Sequence, residues 1–205
     1  MKPETLPLFA GTKDAKLALL ALLPRKAEYP RGARLLSAGE KCQSIGILLS
    51  GGADIVREDV GGDPVTVAHI GQGELFAESF ACSGEPLTVS VVATLPSLVL
   101  WLSAERLLSG AEPQVTANAL RLFARKNLYL TQRIEHLSRR TLEQKVLSYL
   151  RSVRRAAGTN TFCVPFDRQG LADFLGCDRS ALSAVLSKLK RKGVIDYHKN
   201  SFRLL

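Results

Sequence analysis

Between Tyr29 and Leu102, apolar residues either alternate with polar ones or form short runs. The runs are RLLSAGE, SIGILLSGGADIVRED, PVTVAHIGQGE and LTVSVVATLPSLVLWLS. Glycines at 39, 51–52, 61–62, 71, 73 and 84 interrupt them. Short apolar runs punctuated by turn residues predict an all-β barrel or jelly roll. The Gly61–Gly62 pair, between ADIVRED and PVTVAHI, reads as a hairpin turn.

Beyond Pro113 the period becomes helical. Leu120, Phe123, Asn127, Leu130, Ile134 and Leu137 follow one another at intervals of 3, 4, 3, 4 and 3, which is a heptad seam. One polar residue, Asn127, sits inside it. A lone Asn in such a seam fixes register and partner number in parallel two-stranded coils. The pattern also suits an amphipathic helix lying on its own domain. The homodimer is the reading adopted, because a second apolar set, Val115, Ala119, Leu122 and Tyr129, is available to cover the β domain. The seam stops near Ser138. Thr141–Gln144 (TLEQ) is a capping box that starts a new helix, with Gly158 placed to end it. Ser138–Thr141 is therefore a candidate hinge.

Residues 167–205 carry the most specific pattern. Asp167 is placed to cap a short helix bearing Leu171, Ala172 and Leu175. Gly176 makes a turn, and Asp178 is placed to cap a second helix. Leu182, Val185, Leu186 and Leu189 form the buried face of that helix. Ser180, Ala184, Ser187 and Arg191 point the other way, with Arg179 and Ser183 on the flank. Two capped helices joined by a glycine turn predict a helix-turn-helix. VIDYH and SFRLL, around Lys199–Asn200, add a hairpin wing. A small, polar outer face with basic flanks suits the major groove of double-stranded DNA. Lys188, Lys190, Arg191 and Lys192 are expected to grip phosphates, and Ser180, Ser183 and Ser187 to make weaker contacts.

Charge sharpens this division. Residues 1–110 hold 10 Lys+Arg against 12 Asp+Glu, net −2, whereas residues 111–205 hold 18 against 7, net +11. A near-neutral half joined to a basic half implies one part that senses and one that meets a polyanion. Three regions are expected: an effector-sensing β-roll with an N-terminal helical cap (1–110), a dimerisation helix (111–138) and a winged helix-turn-helix (139–205). The fold class is α+β. No apolar run reaches the length of a membrane span, and the N-terminus lacks a signal-peptide layout, so a cytoplasmic protein with no membrane partner is expected. Cys42, Cys82, Cys163 and Cys177 are far apart, and His69, His136 and His198 lie in separate segments, so no metal site or cofactor is expected. No catalytic set is expected either. A cupin-like enzyme would gather several His round a metal, and the β region has only His69.

The runs GILLSGGADIV and GQGELFAES, the helix after Pro113 and LADFLGCDRSALSAVLSKLKRKGVI together resemble the Crp/Fnr family of bacterial transcription regulators. The likeness covers nearly the whole chain. It implies a cyclic-nucleotide-binding-like jelly roll, a dimerisation helix and a winged helix that binds a palindromic operator, with RNA polymerase as a further partner. It implies that Arg179 contacts a base, that Glu78 stands where family members meet a ribose, and that Asn127 lies where they touch effector from both subunits. With Ser79, Cys82, Thr88 and Ser90, these last two make up the candidate effector set. The departures are informative. The arginine that family members use for a cyclic phosphate falls near Leu87, and no Lys or Arg occurs from Gly73 to Ala93. A buried phosphate without a cation would be poorly compensated. Ala77 replaces the family's usual glycine, and Ala184 its second base-contacting arginine. The N-terminal cysteine cluster of the family's oxygen sensors and the histidine of its haem-binding members are both missing. The expected effector is an unidentified small molecule or redox signal other than cyclic AMP. Glu78 is equally readable as a structural carboxylate, and Cys82 as a buried apolar residue or a redox thiol. A constitutive DNA binder with a degenerate sensor is the alternative function.

Overall fold

The computed structural model describes residues 1–58 and 64–205. The Gly61–Gly62 turn lies outside the described residues. Compactness divides the chain into Met1–Phe123 and Ala124–Leu205.

The first unit opens with two 3-10 turns, Pro3–Thr5 and Pro7–Phe9, and a short helix, α1 (Ala15–Ala21). The Asp14 side chain caps α1 by accepting from the Lys16 and Leu17 N–H groups. Then follow β1 (Arg25–Tyr29), β2 (Arg34–Leu36), β3 (Ser44–Ser50), β4 (Ala53–Glu58), β5 (Pro64–Ile70), β6 (Leu75–Phe76), α2 (Glu78–Ser83), β7 (Ser90–Ala93), β8 (Ser97–Ser103) and α3 (Ala104–Leu108). The strands form two four-stranded antiparallel sheets, in the orders β1-β8-β3-β6 and β2-β7-β4-β5. Strands β4 and β5 pair from Ala53↔Ile70 to Glu58↔Pro64.

Between the sheets lies one core. Leu48, Phe76, Val99 and Trp101 from the first sheet meet Leu35, Ala53, Ile70, Val91 and Ala93 from the second. The other face of the first sheet is also covered. There Ile45, Ile47, Leu49, Leu100 and Leu102 pack with Leu6, Leu8, Phe9, Leu19 and Leu22. Burial on both faces explains why SIGILLS and SLVLWLS read as continuous apolar runs rather than alternating ones. Gly46 permits the close approach of Phe76, since a Cβ there would overlap the ring. That ring stands edge-on to Trp101 at 5.3 Å.

A 25-residue helix, α4 (Pro113–Leu137), begins in the first unit and ends in the second. Val115 and Ala119 join the helical side of the β-roll core, and Leu122 and Phe123 pack partly against it. Asn118 donates its amide to Leu8 O (3.0 Å) and Ala10 O (2.7 Å), tying the N-terminal turns to α4. Tyr129 corrects the expectation for its set. It does not cover the β domain but sits 5.7 Å from the Phe174 ring of the second unit. The side of α4 that meets the β-roll therefore changes use within two turns.

The second unit continues with α5 (Leu142–Ala157), β9 (Thr161–Cys163), α6 (Arg168–Leu175), α7 (Arg179–Arg191), β10 (Ile195–His198) and β11 (Ser201–Leu204). Both halves of the Thr141–Gln144 capping box are made, and Gly158 ends α5 in the left-handed region. The Asp167 carboxylate accepts from Gly170 N at 2.7 Å, as its position predicts. Asp178 stands at the N-cap of α7 but makes no side-chain capping bond, which corrects that expectation. The wing exists, and it has a third strand that the sequence pattern did not signal. β9 pairs with β11, giving the order β10-β11-β9. Val146, Leu150, Leu171, Leu175, Leu182, Leu186, Leu189, Ile195 and Phe202 fill this unit's core.

Candidate nucleic-acid interface and effector site

With Leu182, Leu186 and Leu189 fully buried, helical geometry turns the opposite stripe of α7 outward. Arg179, Ser180, Ala184, Ser187 and Arg191 are exposed and Ser183 is half-buried. Ser183 spends its hydroxyl proton on Arg179 O at 2.9 Å. Arg179, in the first turn, and Arg191, in the last, have no ion-pair partner among the described residues.

The three lysines of this helix end differ. Lys188 and Lys192 both reach Glu143 of α5, each at 2.8 Å. Lys190 lies 2.6 Å from Asp196 of β10. The hydrogen bonds from Lys188 and Lys192 pull the Glu143 carboxyl down to about 2. The Lys190 hydrogen bond, with that from the Tyr197 N–H, lowers Asp196, and Asp196 in turn raises Lys190. Glu143 lies 45 and 49 residues from its lysines, so these pairings leave no trace in local sequence. Arg168 was also missed. It lies over the rings of Tyr197 (5.2 Å) and Phe202 (5.9 Å) and donates to Lys199 O, steadying the wing tip.

On α4, Leu120 (69% exposed) and Ile134 (67%) are open, as are Asn127 and Leu130, while Phe123 and Leu137 are half-buried. Most of the seam, from Leu120 to Ile134, is thus an uncovered apolar stripe with one amide in it, and only Phe123 and Leu137 are partly engaged with their own chain.

In the β-roll, Glu78 opens α2 and is buried, and Ser79 beside it is exposed. Burial first, and the Glu78 carboxylate second, push the Cys82 thiol up. Thr88 and Ser90 lie elsewhere. They line a cavity of about 550 Å³ with Arg34, Arg57, Asp54 and Thr66. The core takes Leu35, Ala53, Val91 and Ala93, so this cavity is on the outer face of the second sheet. Ser90 Oγ accepts from Ala38 N at 3.0 Å. Asp54 is engaged by His69 Nδ1 at 2.6 Å. The structure therefore brings Thr88 and Ser90 together and leaves Glu78, Ser79 and Cys82 in α2. Asn127 belongs to the second unit. Arg34 and Arg57 are cations that a search confined to residues 73–93 could not find.

Leu87 is 3% exposed and sits in the apolar cluster with Ala81 and Cys42. Ala77 has φ +61°, the left-handed conformation that favours glycine. The backbone thus retains a shape for which alanine is the strained choice. Among the described residues no group of three His, Cys, Asp or Glu converges as a metal site, and no helix is long and apolar enough to cross a membrane.

The profile of the cyclic nucleotide-binding domain matches residues 26–112, and that of the Crp-like helix-turn-helix domain matches residues 144–205. The chain is 27% identical to the cyclic AMP receptor protein of Thermus thermophilus, over 92% of this chain and 88% of that one. It is 24% identical to a probable transcriptional regulator, flp, of Lacticaseibacillus casei, over 97% and 91%. A solved structure of CprK complexed with OCPA shares the fold, with a TM-score of 0.67 at 16% identity, over 92% of this chain and 90% of that one.

Proposed function

This chain belongs to the Crp/Fnr family of transcription regulators, and on that premise we propose that it acts as a homodimer on a palindromic operator, under the control of a signal received in its β-roll. The observation that carries the reading is the outward face of α7. It presents Arg179 and two exposed serines at groove-reading positions, with a wing beside them. An arginine in the first turn can give two parallel hydrogen bonds to guanine, worth about 1–3 kcal/mol of discrimination. With Ala184 one turn on, this protein reads few guanines per half-site. The exposed Leu120, Leu130 and Ile134 supply the dimer face, and Asn127 sets its register. RNA polymerase is the further partner.

The Thermus relative is named for cyclic AMP, but Leu87 is a buried apolar residue and the stretch around it has no cation. The effector is therefore a small molecule other than cyclic AMP. A redox role for Cys82 is disfavoured, because raising a thiol's pKa removes the reactive thiolate. The same Leu87 favours a second reading, a constitutive DNA binder whose β-roll no longer senses. Operator affinity measured with and without an extract of small metabolites separates the two, since only a sensor responds.

The decisive experiment selects operators from a randomised DNA library with wild type, Arg179→Ala and Leu130→Glu. Wild type should yield a palindrome whose half-sites are about 34 Å apart. Arg179→Ala should relax one base pair per half-site. Leu130→Glu should sediment as a monomer and select nothing. A uniform loss of affinity in Arg179→Ala, with sequence preference intact, would reassign Arg179 to phosphate.

A further inference from the structure

The end of α4 and one stripe of α5 wall a cleft of about 660 Å³. Arg139, Arg140, Arg151, Arg154 and Arg155 line it, and the only acid among its lining residues is Glu135. Glu135 meets Arg139 at 3.4 Å, and the other four arginines have no ion-pair partner among the described residues. Arg151 and Arg155 are one turn apart on the same face, a spacing at which like charges repel and destabilise a helix. Five guanidinium groups round one concavity are thus a standing cost that an anion would remove. All five are arginine, the side chain whose planar fork matches phosphate oxygens in pairs. The volume is that of a pocket for a small ligand.

The cleft is also well fixed. His136, 3% exposed, presents Nδ1 to Ser148 Oγ at 3.0 Å and Nε2 to Ser152 Oγ at 3.4 Å. It stands edge-on to Tyr149 at 5.7 Å, which locks the last turn of α4 to α5. Arg133 adds two hydrogen bonds from α4 to the carbonyls of Asp173 and Phe174.

We propose that this cleft binds a small ligand carrying two or more phosphate groups, at the joint between the dimerisation helix and the winged helix. Phosphates could come from a free nucleotide or polyphosphate, or from the DNA backbone, and the geometry favours the free ligand. At 3.6 residues per turn, Arg151 and Arg155 are centred roughly 140° round α5 from the buried Val146–Leu150 face, with Arg154 nearer at roughly 60°. That buried face meets Leu182 and Leu186 of α7 in the core, so the cleft opens away from the DNA-reading helix. A ligand held there would bridge α4 and α5 and stiffen the Ser138–Thr141 connection.

His136 is a built-in reporter. Its charged neighbours are Glu135, Arg139 and Arg155. Burial holds its pKa down, Glu135 opposes this, and the two arginines add to it. Neutralising Arg139 and Arg155 should raise it.

The test is calorimetry on the full chain at physiological salt, with tripolyphosphate, GTP and inorganic phosphate as probes, on wild type and on Arg151→Gln/Arg155→Gln. Tripolyphosphate and GTP should bind one per chain and inorganic phosphate far more weakly. The double variant should weaken both polyphosphates at least tenfold, while its melting temperature does not fall and its DNA affinity stays unchanged. Arg151→Lys/Arg155→Lys should fall between the two. NMR titration of His136 should show its pKa rising with tripolyphosphate in wild type only. Equal binding of tripolyphosphate and GTP would assign the site to the phosphates alone, and tighter GTP binding to a nucleotide. Absence of polyphosphate binding, or equal binding to the double variant, would overturn the proposal. So would a double variant that binds all DNA more weakly with a shallower salt dependence and whose wild-type parent ignores polyphosphate. The arginines would then belong to the DNA grip.

Discussion

The family resemblance makes Leu87 in the β-roll, and the helix-turn-helix pattern makes Lys192 at the end of α7, a position where a phosphate is expected to meet a cation. At Leu87 the cation is missing from the sequence, and the structure fills its place with a hydrocarbon side chain sealed among Ala81 and Cys42. At Lys192 the cation is present, but Glu143 already holds it together with Lys188. Missing charge and engaged charge look alike to an incoming anion, yet they are reached by different chemistry. Regaining the first requires a new side chain in a core. Releasing the second requires only that a carboxylate be outcompeted, or removed. Net charge is therefore a poor guide to available charge. Of the four cations expected to grip phosphate, three are paired within the chain and only Arg191 is not.

The largest effect should come from restoring the missing cation. Leu87→Arg buries a charge with no partner in the surrounding apolar cluster, and urea unfolding should show a loss of about 3–5 kcal/mol. The comparison breaks if millimolar cyclic AMP restores that stability. Leu87 would then mark a cyclic-nucleotide site that needs one substitution to work.

Glu143→Gln addresses the engaged cations. It frees Lys188 and Lys192 for two phosphates per subunit, so for the dimer the slope of log affinity against log salt should steepen by about 3.6, at about 0.9 per phosphate. An unchanged slope would mean that the lysines already leave Glu143 for DNA in wild type. The same pair should set an acid limit. A carboxyl lowered from 4.5 to about 2 in the folded chain contributes stability that is complete above pH 4.5 and is lost as pH falls towards 2. Unfolding curves of wild type and Glu143→Gln should therefore differ at neutral pH and converge in acid.

Ala77→Gly should have the smallest effect. It relieves a left-handed alanine, worth about 1–2 kcal/mol, against an entropic cost of about 0.5–1 kcal/mol. Thermal melting should show a net gain of no more than about 1.5 kcal/mol. A loss would mean that the Ala77 methyl contributes more by packing than its backbone costs.

Local signals made much of this fold readable. The Thr141–Gln144 box, the Asp167 cap, the glycines at 158 and 176 and the heptad period of α4 each act within a few residues, and the structure forms each of those caps, turns and helices. Strand alternation with glycine turns was enough for the two-sheet roll. The illegible features depend on tertiary register. Glu143 meets lysines of a helix three elements on, β9 takes its place only through β11, and Arg34 reaches the outer cavity only because β2 pairs with β7. Tyr129 was misassigned because periodicity tells which residues share a face but not which domain that face meets at each turn. Asp178 had the right position and residue type, but its side chain does not take up the capping bond.

Asn118 imposes an order on the making of this protein. Its amide satisfies the carbonyls of Leu8 and Ala10, 110 and 108 residues earlier in the chain. A ribosome adding about 5–20 residues per second needs roughly 5–20 s to cover that distance. For those seconds Leu6, Leu8 and Phe9 have neither Asn118 nor Val115 and Ala119 to close over them. The segment around Leu8 is thus translated about 110 residues before the helix that finishes it. During that wait it is the part of the nascent chain that a chaperone has most reason to shield.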